Sequence, residues 1–271
     1  MDKKLLKRVY RNILDNTSPN ITTGYSDLDS ILSVYSYGSL ISIGGINSSG
    51  KSSLLRNILI KQILNNNKCI YFNIESTREN FTKLLICTYT DIPLYKAFMN
   101  SSLTKEDKLK LNTAIHEMQD WNLEVYDCSL YKLEKIIHKI ISIKPDYVFI
   151  DGIDEIRTNE KFNTKEILKS LKNVADKIRT RIFITTTINF GTENNEFKVP
   201  TNKNFNDPEN ILKYSDEVLI IHRPDIYYMQ DDIPEGFKAK TINIIATKNS
   251  KAIITLDFDN RYGKIKEITN K

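Results

Sequence analysis

The sequence lacks the features that mark secreted, zinc-stabilised or membrane-spanning proteins. Its 271 residues hold three cysteines, Cys69, Cys87 and Cys128, whose odd number and irregular spacing disfavour a disulfide framework and a zinc site and predict reduced, buried thiols. No run approaches the roughly 20 apolar residues that cross a bilayer. The basic N-terminus has no apolar core segment, so it does not resemble a secretory signal. We therefore expect a cytoplasmic protein without a membrane partner.

An excess of positive charge is also missing from most of the chain. The 39 Lys and Arg against 34 Asp and Glu give a net charge of +5, of which residues 1–11 alone carry +4. Composition therefore does not by itself predict nucleic-acid binding. Residues 3–15 place apolar side chains at helical spacing, which predicts a basic amphipathic helix. Because Ser18 and Pro19 then favour a turn, we expect residues 1–20 to form an arm and residues 21–271 to form one domain.

Strand and helix patterns alternate through the rest of the chain. The predicted strands span residues 40–43, 69–74, 123–126, 147–151, 182–187, 218–222, 241–247 and 253–258, and the predicted helices span residues 51–65, 77–89, 104–118, 130–141 and 164–179. Such alternation predicts an α/β fold with a mostly parallel twisted sheet and helices on both faces. A polar loop is predicted at residues 190–209. No helix separates the last two strands, so we expect an antiparallel C-terminal extension.

The most specific motif is the segment GINSSGKS at residues 45–52. It matches G-x-x-x-x-G-K-[ST] and lies between a predicted strand and a predicted helix, which is the context that this phosphate-binding loop requires. Its backbone N–H groups and the helix N-terminus favour phosphate oxygens. Lys51 can reach the β- and γ-phosphates, and the Ser52 hydroxyl can bind Mg²⁺. The residues predicted to contact ATP are Gly45, Ile46, Asn47, Ser48, Ser49, Gly50, Lys51, Ser52 and Ser53.

Acidic side chains follow two of the predicted strands. Asp151 ends a nearly continuous apolar strand, where a carboxylate can bind Mg²⁺ together with Ser52. Glu75 follows another strand and would lie beside the phosphate loop if that strand were a neighbour of the strand preceding the loop. There it could act as a general base, although on spacing alone a surface glutamate fits as well. Asp154 and Glu155 are expected in a solvated loop.

Several short motifs appear in a fixed order around these residues. They are Thr23–Asp29, Gly38–Leu40, the phosphate loop, Asn57–Ile58, Tyr71–Glu75, Leu103–Asp107, Asp146–Asp151, Asp216–Leu219, His222–Arg223, Ala246–Asn249 and Phe258–Tyr262. This order resembles the RecA-like ATPase domain of DnaB-type replicative helicases, and the resemblance covers roughly residues 20–265. Only the phosphate loop is specific by itself, whereas the ordered set is specific as a whole.

The resemblance implies a RecA-like P-loop NTPase core and an ATP-dependent motor that acts on single-stranded DNA in replication. It implies a ring, expected to be a hexamer, with ATP between subunits, DNA in the central channel and the arm docked on the adjacent subunit. A replication loader or a second helicase is a further expected partner. The family's separate primase-interacting N-terminal domain is expected to be absent.

The resemblance also implies roles for individual residues. Glu75 would be the catalytic base, and Lys248 would reach the γ-phosphate of the neighbouring subunit. Arg223 and Tyr262 would flank the adenine. An exposed strand-end lysine and a half-buried core aromatic are the alternatives for Lys248 and Tyr262. Lys198 and Lys203 are the basic residues of the polar loop and the candidate DNA contacts.

Three positions depart from the family's pattern. Ser250, with Lys251 next, stands where an arginine finger is expected, and lysine lacks the bidentate fork of arginine. Thr187 stands where a γ-phosphate-sensing glutamine is expected. Residues 206–209 stand where the DNA-contacting loop is expected, and the polar loop carries a net charge of −2, which would repel phosphates.

These departures leave a second function open. The chain could be a nucleotide-binding but weakly active helicase paralogue that serves as a ring-assembly or regulatory partner. A strand-exchange recombinase with the same core is disfavoured, because the later motifs resemble the helicases more closely.

Overall fold

The computed structural model describes Tyr10 and residues 20–98, 103–127, 132–158, 163–189, 199–227 and 240–268. The predicted arm helix, apart from Tyr10, lies outside the described residues, as do Cys128 and Lys198. The strands are β1 Leu40–Gly45, β2 Cys69–Asn73, β3 Leu123–Asp127, β4 Tyr147–Asp151, β5 Arg181–Thr187, β6 Glu217–His222, β7 Thr241–Ala246, β8 Ala252–Asp259 and β9 Lys264–Glu267. The α-helices are α1 Ser26–Leu32, α2 Lys51–Leu64, α3 Arg78–Thr90, α4 Leu94–Phe98, α5 Lys105–Gln119, α6 Leu133–Ile143, α7 Thr164–Ile178, α8 Pro208–Tyr214 and α9 Pro224–Tyr227.

One nine-stranded sheet, in the order β3-β2-β4-β5-β1-β6-β7-β8-β9, organises these elements. The strands from β3 to β6 along this order pair in parallel, and β7, β8 and β9 pair in antiparallel fashion. Every residue of β1, β2, β4 and β6 is buried, as expected of parallel strands covered on both faces. The predicted α/β fold with an antiparallel C-terminal extension is therefore confirmed.

Two apolar layers cover the two faces of the sheet. Along β4, Phe149 packs in one layer and Val148 in the other, because successive side chains of a strand point to opposite faces. Helices α2 and α3 supply Leu54, Ile58 and Phe81 to the first layer. Helices α6 and α7 supply Ile136, Ile140 and Leu171 to the second. The two layers thus hold β1 and β4 in place. The phosphate loop follows β1, and Asp151 ends β4.

Some elements differ from the sequence prediction. A 3₁₀ turn at Asn202–Asn204 and the first two residues of helix α8 lie in the segment 190–209 that was predicted as a polar loop. Asp207 caps α8 by accepting a hydrogen bond from the Asn210 N–H at 3.2 Å, and Pro208 takes the first helical position. Helices α1, α4 and α9 and strand β9 were also missed, because each is too short for a clear period.

Among the described residues, no helix is both long enough and apolar enough to cross a membrane.

Candidate active site

The phosphate loop lies at the edge of the sheet where the parallel strands have their carboxyl ends. It joins β1 to α2, and β1 lies between β5 and β6 in the middle of the sheet. Gly50 is the N-cap of α2 with φ of +105°, a backbone conformation that favours glycine. The first N–H groups of α2 therefore face a pocket of about 420 Å³ lined by residues 47–53 together with Glu75, Leu94, Arg223, Phe258, Asn260 and Gly263.

Lys51 is a buried cation that lines this pocket. Its ammonium donates to the carbonyl oxygens of Gly45 and Ile46, both at 2.9 Å, and its side chain is buried. Burial lowers the pKa of Lys51, whereas the negative charges of Glu75 and Asp151 raise it. Gly45 and Ile46 thus contribute carbonyl partners to Lys51 and do not line the pocket. A polyphosphate would offer the same ammonium stronger acceptors.

The Asp151 carboxylate accepts hydrogen bonds from hydroxyl groups on three different elements. Its Oδ1 accepts from Ser52 Oγ at 3.0 Å and Thr185 Oγ1 at 2.8 Å, and its Oδ2 accepts from Tyr71 at 2.8 Å. Burial and the charge of Asp151 raise the pKa of Tyr71, so this phenol remains a donor. The Ser52 hydroxyl and the Asp151 carboxylate supply adjacent oxygen donors of the kind that Mg²⁺ prefers. The residues present therefore fit a magnesium ion.

Glu75 lines the same pocket, although the premise of its prediction is wrong. Strand β2 is not a neighbour of β1, because β4 and β5 lie between them. Glu75 instead reaches the pocket across Gly152, where an added Cβ atom would come within 2.6 Å of Glu75 Cγ. Partial burial of the carboxyl group and the charge of Asp151 raise the pKa of Glu75, and Lys51 lowers it. A raised pKa suits a general base.

Asp154 is not in a solvated loop, which corrects the sequence prediction. It lies in a 3₁₀ turn, Ile153–Glu155, and is half-buried. Its carboxylate accepts hydrogen bonds from Thr186 Oγ1 and from the Thr187 N–H, both at 2.7 Å. Asp154 thus ties the segment after β4 to the end of β5. Glu155 is exposed, as predicted.

Arg223 and Tyr262, the two residues predicted to flank the adenine, face different cavities. Arg223 lines the phosphate pocket, donates from Nη1 to Asn260 Oδ1 at 3.1 Å and pairs with Asp225. Its guanidinium carbon lies 4.7 Å from the centroid of the Phe258 ring. Tyr262 lines an adjoining cavity of about 930 Å³. Phe258 and Asn260 line both cavities, and sequence reasoning missed them because the motif at 258–262 was matched as a whole.

Lys51 lies at the carboxyl ends of the parallel strands, whereas Lys248 lies at their amino ends. Strand β7 runs antiparallel to β6, so the turn after β7 returns to the amino end of β6. There the Lys248 N–H donates to Glu217 Oε1 at 3.0 Å, and its ammonium contacts the carbonyl oxygen of Ser215. Ser250 lies on the same turn. Lys248 therefore cannot reach the phosphate loop of its own chain.

The remaining candidate residues lie outside the pocket. Lys203 is exposed in the Asn202–Asn204 turn, and this turn packs against the β7–β8 connection through a 2.7 Å hydrogen bond from Thr247 Oγ1 to Asn202 Oδ1. Thr187 ends β5, and its N–H is already bonded to Asp154. Asp207 and Pro208, predicted at the DNA-contacting position, begin α8.

Comparisons with known proteins agree with this architecture. The model of the DnaB-like helicase C terminal domain matches residues 20–267. The Replicative DNA helicase DnaB of Helicobacter pylori (strain J99 / ATCC 700824) is 24% identical over 221 residues, which cover 78% of this chain and 45% of that protein. The Replicative DNA helicase DnaC of Bacillus subtilis (strain 168) is 23% identical over an alignment of 279 positions, gaps included, that covers 97% of this chain and 61% of that protein. The chain thus spans about half the length of the curated relatives it matches.

Solved structures show the same fold at low identity. One of them, described as an ATPase domain, superposes with a TM-score of 0.86 at 20% identity and covers 99% of this chain and 100% of that one. A second structure, of a DnaB-like replicative helicase and its interactions with primase, gives a TM-score of 0.84 at 20% identity and covers 99% of this chain and 67% of that one. The fold is that of the RecA-like ATPase domain.

Proposed function

The chain belongs to the DnaB-like helicase C-terminal domain family, and from this premise we propose that it is a motor ATPase that binds ATP with Mg²⁺ and acts on single-stranded DNA in replication. One observation carries the proposal. Lys51, Ser52 and Glu75 line one pocket, and the buried Asp151 lies directly behind it, where it accepts a hydrogen bond from Ser52 Oγ at 3.0 Å. Phosphoryl transfer needs a phosphate cradle, a metal carboxylate and a group that handles water, and these four residues supply all three.

Each residue has a distinct part in the proposed reaction. Lys51 exchanges its carbonyl partners for phosphate oxygens. Ser52 and Asp151 would hold Mg²⁺, which would supply positive charge to neutralise the phosphates. Glu75 orients water and takes its proton. Arg223, which lines the phosphate pocket, and Tyr262, which lines the adjoining cavity of about 930 Å³, are the residues proposed to flank the adenine.

The position of Lys248 supports a ring, proposed to be a hexamer, with ATP between subunits. Because Lys248 lies at the far edge of the sheet, it can act only on a neighbouring chain. Residues 21–271 form the proposed ATPase domain, with residues 1–20 as the arm. Lys198 and Lys203 remain the proposed DNA contacts, and a loader or second helicase remains a proposed partner. A cytoplasmic location stays a prediction from cysteine usage.

The test is ATP affinity and turnover, measured with and without single-stranded DNA, together with mass in solution. We expect Lys51→Ala to lower turnover by at least about 100-fold, because a phosphate-stabilising charge is lost. Lys110→Ala is the matched control, since Lys110 is a solvent-accessible lysine on α5, paired with Glu106. We expect the wild type to form a ring and DNA to raise its turnover. A wild-type chain without affinity for ATP and Mg²⁺ overturns the proposal.

A specific observation favours a second function, that of a nucleotide-binding assembly or regulatory partner of a helicase ring. Ser250 offers no guanidinium, and the N–H of Thr187 is engaged by Asp154. The same measurements separate the two functions. Tight ATP binding with turnover that DNA does not change supports the second, whereas DNA-stimulated turnover with unwinding rules it out.

A further inference from the structure

Arg56 is a buried arginine on the helix that follows the phosphate loop. It is 5% exposed, and its Nη2 donates to Ser53 Oγ at 3.1 Å. Among the described residues its Nε has no hydrogen-bond partner, and no carboxylate forms an ion pair with its guanidinium. An arginine side chain stays charged in proteins. Arg56 is therefore a fixed positive charge without a directly bonded counter-ion.

Such a charge disfavours the nucleotide-free fold. Burying an unpaired charge costs free energy, and an apolar side chain of similar size is often more stabilising in its place. The neighbouring positions Leu54, Leu55 and Ile58 are apolar and fully buried. Stability of the free chain alone therefore does not account for an arginine at this position.

The surroundings of Arg56 point to the phosphate pocket. Ser53, which accepts its hydrogen bond, lines that pocket beside Lys51. Gly263 lines the pocket as well, and a Cβ atom added there would lie 3.3 Å from Arg56 Nη2. The guanidinium is thus separated from the pocket by one hydroxyl group on one side and by a residue without a side chain on the other.

From this arrangement we infer that Arg56 is a positioning residue for the nucleotide, whose polyphosphate adds to the single negative charge that Asp151 presents to Arg56 in the free chain. Arg56 orients Ser53 and adds positive potential to the wall of the pocket. This inference rests on the proposed ATP site. The Arg56 charge thus lowers the stability of the nucleotide-free chain and raises its affinity for the nucleotide.

Removal of the charge should therefore change nucleotide affinity and the stability of the nucleotide-free chain in opposite directions. Arg56→Met keeps the length of the side chain and removes the charge, and Arg157→Met at an exposed arginine is the control. Affinity for ATP and for ADP, each with Mg²⁺, and the thermal midpoint without nucleotide are measured for each variant. We expect Arg56→Met to weaken binding of both nucleotides by about tenfold, or about 1.4 kcal/mol, because a positive charge near the polyphosphate is lost, while its midpoint stays equal to the wild type's or rises.

Each other outcome decides the question. Unchanged affinities overturn the inference, and so does a lower midpoint accompanied by weaker binding, because that is the signature of a structural role. If Arg56→Met does not fold, Arg56→Lys takes its place. Retention of affinity within about threefold by the lysine variant supports a role for charge, and any larger loss in a folded lysine variant overturns it. Absence of nucleotide binding by the wild type would instead refute the proposed function.

Discussion

Glu75 lines the phosphate pocket and Asp151 lies buried behind Ser52, so the two carboxylates have different surroundings. Asp151 is buried and accepts hydrogen bonds from three hydroxyl groups. Glu75 is accessible to solvent, and partial burial of its carboxyl group together with the charge of Asp151 raises its pKa. Different surroundings let two carboxylates perform different chemistry. Asp151 is suited to hold a metal ion, and Glu75 is suited to accept a proton.

Removal of the Glu75 carboxylate should separate hydrolysis from binding. We expect Glu75→Gln to lower ATP turnover by about 10²–10⁴-fold, the usual contribution of a general base, with ATP affinity within a few-fold of the wild type. Glu155→Gln, an exposed acid nearby, is the control. Wild-type turnover in the Glu75→Gln variant would contradict the assignment.

The pH profile of turnover follows from the same pKa. A base works only when it is deprotonated, so activity falls as pH drops through the pKa of Glu75. Because that pKa is raised, we expect the acid limb of the profile to lie above the usual glutamate value. Turnover measured from acidic to neutral pH checks the direction, and an acid limb at or below the ordinary value would contradict it.

Local sequence patterns identified the phosphate loop and Asp151 directly, whereas the surroundings of Glu75 and Asp154 depend on contacts between strands. The phosphate loop and Asp151 were readable because a motif and a buried strand identify them locally. Glu75 was assigned on an assumed pairing of β1 with β2, and strand order is not written in local periodicity. Asp154 was missed because its partners, Thr186 and Thr187, lie on another strand more than 30 positions later.

The turn between β7 and β8 is an element held by one buried acid. Glu217 is 0% exposed and accepts hydrogen bonds from the N–H groups of Lys248 at 3.0 Å and Ser250 at 3.4 Å. Its Oε2 also accepts from Tyr35 at 3.1 Å. Successive N–H groups around an anion form a stable concave turn. The backbone of the turn is thus fixed by contacts that do not involve the side chain at position 250.

This fixed backbone allows an arginine finger to be restored. We expect Ser250→Arg to raise ATP turnover of the assembled chain by at least about tenfold, because a complete finger contributes about 10³–10⁵ in rate. Ser250→Gln, which adds length without charge, is the control and should leave turnover unchanged. Turnover that does not respond to Ser250→Arg would favour the assembly or regulatory function.

Helix α8 shows why elements in polar segments escape periodicity arguments. Its only fully buried residue is Ile211, so no apolar stripe marks it. The signal lay in the cap, where Asp207 precedes Pro208 at the first helical position. The long strands and helices were predictable because burial on two faces imposes a period, whereas α8 depends on hydrogen bonds at its first turn.

At the scale of the whole molecule, the two ends of the sheet carry different parts of the proposed site. The phosphate loop follows the carboxyl end of β1, and Lys248 lies beside the amino end of β6. Contacts between such unlike surfaces are heterologous, and they close into a ring when the rotation between subunits permits. Local sequence patterns predicted the sheet, but the separation of its two ends depends on strand order.

Mixing two inactive variants should restore activity. Lys51→Ala lacks the phosphate-binding lysine, and Lys248→Ala lacks the proposed residue in trans. We expect each alone to be inactive and an equal mixture, after reassembly, to recover up to about a quarter of wild-type turnover, the share of interfaces that join two intact halves in a heterologous ring. A mixture as inactive as its components would contradict action between chains.

Because Lys248 lies at the end of the sheet opposite the phosphate loop, ATP turnover should depend on how the subunits are assembled. In an open row of subunits, the terminal chains each leave one half-site unmatched, so the row contains one complete site fewer than it has members. Closure of the row removes both loose ends together. ATP turnover per chain should therefore rise with chain concentration and level off when rings predominate, and dilution to single chains should abolish it.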